Sequence, residues 1–71
     1  TVEIGATLEA QRDGKTSTFT IVGSSEAKPE ANLISNESPL GKSFLGKRVG
    51  DTIEVVVPSG VTVKYKITKI G

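Results

Sequence analysis

An α+β fold, an antiparallel sheet of two hairpins with one short helix on one face, follows from three features of the chain. Apolar and polar residues alternate near both ends, Asp13-Gly14 and Pro58-Ser59-Gly60 punctuate those runs, and Ser38-Pro39 opens an amphipathic stretch between them. Each element rests on its own local chemistry.

Val2, Ile4, Ala6, Leu8 and Ala10 recur at every second position, which predicts a strand with one buried face. Asp13-Gly14 then closes a hairpin, because glycine accepts positive φ without a Cβ clash. Thr16 to Val22 is rich in Thr, Phe, Ile and Val, with Phe19 and Ile21 as the inward pair, and Gly23 ends the strand. Ser24 to Asn32 lacks a buried period and contains Pro29, so it reads as an exposed loop with room for one helical turn. Leu33-Ile34-Ser35 is a very short strand.

The Ser38 hydroxyl can accept an orphan backbone N–H, and Pro39 lacks the N–H that goes unpaired in a first turn. These two residues predict a helix over about residues 39–46, with Leu40, Phe44 and Leu45 on one face and Gly46 as its stop. Helices under ~12 residues are marginal in water, so this face must pack on the sheet. Ile53, Val55 and Val57, the Pro58-Ser59-Gly60 turn, and Val61, Val63, Tyr65 and Ile67 form a second hairpin. Thr62, Lys64, Lys66 and Thr68 give it a wet face.

The chain has 71 residues, no Cys and no His, with nine basic residues against eight acidic ones. That length is one small domain of roughly 4–10 kcal/mol stability at ~0.05–0.15 kcal/mol per residue. The missing residue types exclude disulfide frameworks, thiol chemistry, the usual zinc sites and any imidazole-based triad; no metal and no cofactor are expected. A net charge of +1 is too even to hold nucleic acid by phosphate neutralisation. Its apolar runs are far below the ~20 residues of a membrane helix, and the expectation is a soluble, monomeric, cytoplasmic chain. The first residue is Thr rather than Met, which we read as a piece of a larger parent.

Other chemical motifs reduce to structure. Asp51 and Glu54 flank a strand entrance, where Asp is a turn residue rather than half of a catalytic carboxylate pair. Gly41-Lys42-Ser43 lacks the upstream glycine of a phosphate loop, since Asn36 stands there. Lys42, Lys47 and Arg48 form a basic cluster best read as a solvated helix face, with nucleic-acid contact the weaker reading because the few aromatics are needed inside. Lys64, Lys66 and Lys69 read as solvent-side residues that guard a terminal strand from edge pairing.

Leu33 to Val55, reading Leu-Ile-Ser-Asn-Glu-Ser-Pro-Leu-Gly-Lys-Ser-Phe-Leu-Gly-Lys-Arg-Val-Gly-Asp-Thr-Ile-Glu-Val, closely resembles the C-terminal domain of the Gre family of bacterial transcript-cleavage factors, GreA and GreB. Pro58-Ser59-Gly60 and Tyr65-Lys66-Ile67 occupy the family's later Pro-x-Gly and Tyr-x-Ile places, and Ile4-Gly5-Ala6-Thr7 resembles its opening strand. The resemblance implies an FKBP-like α+β domain that docks on RNA polymerase at the rim of the secondary channel. A long N-terminal coiled coil, absent from these residues, carries the acidic tip that holds catalytic Mg²⁺. The resemblance therefore implies binding without catalysis.

The family's polymerase-contacting loop is matched here by Glu37, Ser38 and Pro39, with Leu40 and Lys42 as neighbours. No role is assigned to Ser43 or Arg48. Alternative readings are a nucleoside-diphosphate-kinase regulator of the Rnk type, or another protein-interaction domain, and the peptidyl-prolyl isomerase activity of true FKBP proteins. A shared fold does not carry that activity.

Overall fold

The computed structural model describes residues 1–56 and 59–71. β1 (Thr7–Arg12) and β2 (Lys15–Val22) form the first hairpin, and two 3₁₀ turns (Ser24–Glu26 and Pro29–Ala31) lead into β3 (Leu33–Ser35). The helix α1 (Pro39–Phe44) follows, then β4 (Thr52–Val56) and β5 (Thr62–Ile70). The strands form one sheet in the order β3-β2-β1-β5-β4. It is antiparallel except along β2 and β3, which run parallel in the register Ile21↔Ile34. The all-antiparallel expectation fails at that edge because the Ser24–Asn32 connection brings the chain back in the same direction as β2.

Local chemistry accounts for the turns. Asp13 and Gly14 both have positive φ, 51° and 79°, the pair of left-handed residues that matches strand twist in a two-residue hairpin. Val57 and Pro58 lie outside the described residues, while Gly60, the last residue of the second expected turn, has φ 88°. The first strand starts later than its alternation predicts. Gly5 at φ 93° turns the chain, so Ile4 is 58 % exposed, while Val2 is buried from a different direction. The Val2 N–H donates to the Lys47 carbonyl and its carbonyl accepts from the Gly46 N–H, both at 2.9 Å. The N-terminal segment is thereby clamped to the end of the helix.

Between β1 and β5 the register slips: Glu9 pairs with Lys69 but Ala10 with Ile67, which leaves Thr68 as a bulge. The bulge puts Thr68 and Lys69 both on the wet side and turns Ile70 toward the core. β5, although last in sequence, is an interior strand. Lys64 and Lys66 are solvent-exposed as expected, but they guard no edge.

Leu8, Ala10, Phe19, Ile21, Ile53 and Ile67 on the inner face of the sheet pack with Phe44 of the helix and with Val2. Phe44 is fully buried and contacts Phe19 and Tyr65, with ring centroids 5.6 and 5.8 Å away; Phe19 and Tyr65 lie 5.6 Å apart, edge to face. Such aromatic pairs add ~0.5–1.5 kcal/mol beyond area burial. Six helical residues span only ~9 Å, whereas five strands in a flat sheet are ~19 Å across. Because α1 nonetheless touches both β3 and β4, the sheet must curl around it. The helix fills the trough and holds the segment before it at the rim.

Candidate functional site

Two serines fold the segment between β3 and α1 into a knuckle. The Ser35 carbonyl accepts from the Ser38 N–H at 3.1 Å and from the Ser38 hydroxyl at 2.8 Å. The same hydroxyl oxygen accepts from the Gly41 N–H at 3.1 Å, the helix cap expected from sequence. Ser35 Oγ accepts from the Glu37 N–H at 3.0 Å, and the Asn36 N–H extends the β2 ladder to the Val22 carbonyl at 2.9 Å. Every turn of the chain from Asn36 to Ser38 is pinned to the strand before it or the helix after it. Capping alone contributes ~1 kcal/mol.

The knuckle lies close to the helix because of Gly41. Gly41 is buried, and a Cβ built there falls inside the van der Waals shell of the Ser35 carbonyl oxygen, 2.9 Å from its carbon and 3.1 Å from Ser38 Oγ. A backbone carbonyl cannot rotate aside as a side chain can, so only glycine permits this approach. Sequence reasoning gives Ser35 no site role and takes up Gly41 only in the rejected phosphate-loop reading. A signal for Gly41 is present in the chain: a glycine inside a six-residue helix is costly unless something needs its missing Cβ.

The expected site residues divide. Glu37 and Pro39 are exposed at the knuckle's tip, and Lys42 is exposed one turn along the helix. Ser38 is half-buried, its hydroxyl spent on the cap. Leu40 is half-buried and packs against the core, so it supports the helix more than it presents a surface. Glu37 and Lys42 form no ion pair among the described residues, leaving one anionic and one cationic group beside a rigid proline.

Ser43 and Arg48 acquire local roles. The Ser43 hydroxyl donates back to the Pro39 carbonyl at 2.9 Å. The Arg48 N–H donates to Asp51 Oδ2 at 2.8 Å while the Asp51 N–H donates to the Arg48 carbonyl at 3.0 Å, so Asp51 is a turn residue. Among the described residues no group of three or more acidic or metal-ligating side chains converges. The arrangement is an exposed tip held in place by its own hydrogen bonds.

The family described as "Transcription elongation factor, GreA/GreB, C-term" matches residues 1–71. A transcription elongation factor GreA from Thermoanaerobacter pseudethanolicus is 48 % identical over 71 aligned residues, covering 97 % of this chain and 45 % of that protein. GreA of Clostridium acetobutylicum is 64 % identical over 52 residues, 73 % of this chain and 32 % of the relative. The chain thus spans less than half the length of these curated relatives. Among solved structures, GreA factor homolog 1 of Thermus thermophilus superposes with a TM-score of 0.85 at 28 % identity, covering 99 % of this chain and 47 % of that one.

Proposed function

The chain belongs to the GreA/GreB transcription elongation factor family as its C-terminal domain, and on that basis we propose that it is the RNA-polymerase-docking domain of a Gre-type elongation factor. In this reading the domain binds the polymerase and catalyses nothing itself. Stimulation of transcript cleavage belongs to the coiled coil that the family resemblance places N-terminal to it.

The observation that carries the reading is the pinned knuckle with Glu37 and Pro39 at its tip. A loop held by its own hydrogen bonds gives up little freedom on binding, where ordering costs ~0.5–1.5 kcal/mol per immobilised side chain. Lys42, exposed one turn along the helix, supplies a second charge. The isomerase alternative is not favoured by the packing: Phe19, Phe44 and Tyr65 all stack on one another rather than around a proline pocket.

The test is competition between this chain and a full-length Gre factor for core RNA polymerase. Glu37→Lys and Pro39→Ala are expected to weaken competition several-fold with unchanged far-UV circular dichroism. Leu40 is left intact because it packs on the core. Undiminished competition by both variants removes the knuckle from the interface.

A further inference from the structure

The two edges of the sheet are treated differently. Along β3, the outer side is already occupied by Lys28, whose N–H donates to the Leu33 carbonyl at 2.9 Å and whose carbonyl accepts from the Leu33 N–H at 3.1 Å. β4, at the other edge, has no such cover among the described residues. The Ile67 N–H donates to the Asp51 carbonyl at 2.9 Å, so Asp51 faces β5. Antiparallel pairing alternates, so Ile53 and Val55 bond to β5 while the N–H and C=O groups of Thr52 and Glu54 point away from it. Those outward groups have no backbone partner among the described residues.

A shallow groove runs beside this edge. Lys42, Ser43 and Lys47 line one wall, and Thr52, Ile53 and Glu54 the other. Lys42 and Lys47 are exposed and form no ion pair among the described residues, whereas the Glu54 carboxylate lies 3.5 Å from Lys64 Nζ on β5. The groove therefore offers two uncommitted ammonium groups next to uncommitted backbone donors and acceptors.

We propose that β4 and this lysine-lined groove form a strand-addition site for an extended acidic peptide segment of a partner protein. Its backbone pairs with Thr52 and Glu54, and carboxylates at every second position meet Lys42 and Lys47, because side chains on one face of a strand recur with period two. This site meets the proposed docking surface only at Lys42 and leaves its tip free, since Glu37 and Pro39 precede and open the helix on the β3 side. A second copy of this chain is a poorer occupant, since antiparallel pairing of β4 with itself about Glu54 sets two carboxylates face to face. A basic segment meets like charges in the groove.

The probe is the peptide acetyl-Val-Glu-Thr-Glu-Val-Glu-Thr-amide, titrated into the ¹⁵N-labelled chain. The expected result is chemical-shift change centred on Thr52 and Glu54, with hydrogen exchange of those two amides slowed about tenfold at saturation. Lys47→Glu is expected to weaken binding up to roughly fivefold, the range for one exposed charge pair. Glu54→Pro removes an outward N–H that the sheet itself does not use, and should abolish binding while the fold survives. If that variant does not fold, the same peptide N-methylated on the amides facing β4 provides the equivalent loss. Equal binding by the N-methylated peptide or by its lysine-for-glutamate counterpart overturns the proposal. So do shifts confined to residues 36–39, no shifts at millimolar peptide, or concentration-dependent pairing of the free chain through β4.

Discussion

Gly41→Ala is the sharpest test of how the knuckle is built. In an ordinary helix interior the substitution stabilises by ~1 kcal/mol, since alanine loses less conformational freedom. Here the added methyl meets the Ser35 carbonyl, a backbone group that itself accepts two hydrogen bonds from Ser38. Relieving the overlap means pushing α1 off β3, an overpacking cost of ~1–3 kcal/mol. Weakening the two hydrogen bonds adds ~0.5–1.5 kcal/mol each. Subtracting the propensity gain leaves a net loss of about 1–5 kcal/mol, centred near 3, from a total of roughly 4–10 kcal/mol. At ~4–8 °C per kcal/mol for a domain of this size, the central value of about 3 kcal/mol lowers the melting temperature by about 12–24 °C. Gly23→Ala is the control: Gly23 has φ −64° and nothing within 4 Å of where the new methyl would stand, so its change should be neutral or slightly stabilising. Thermal and urea melts of the two variants decide the matter. If Gly41→Ala melts at or above the parent, the close approach to Ser35 is not what makes glycine necessary there.

Three further outcomes follow from the same geometry. Ser38→Ala removes one acceptor and one donor and should lower stability by about 1–2 kcal/mol in urea unfolding, with Ser38→Thr recovering most of it. Phe44→Ala empties the centre of the aromatic cluster at a cost of about 3–5 kcal/mol, and near-UV circular dichroism of Tyr65 should collapse as the domain partly unfolds. Asp51→Ala loses the hydrogen bond from the Arg48 N–H and should cost about 1 kcal/mol, whereas Glu54→Gln, breaking an exposed 3.5 Å pair with Lys64, should shift the melt by less than about 0.5 kcal/mol.

Features that depend on neighbours along the chain are legible in the residues alone. Alternation in Thr16 to Val22 and Val63 to Ile67 dictates which side chains face inward, Asp13-Gly14 makes the first turn, and Ser38-Pro39 marks the first residue of the helix. These are short-range effects of φ, hydrogen-bond capping and side-chain period, and they act before distant segments meet. Motifs in fixed order also make the family legible. Whatever depends on which segments meet belongs to the folded chain: β3 running parallel to β2, β5 lying inside the sheet, the bulge at Thr68, and Val2 clamped to Gly46 and Lys47. Gly41 shows the boundary between the two. Its residue type is visible in the chain, but the carbonyl that requires it belongs to a different element, and only the curled sheet brings that carbonyl into contact with the helix.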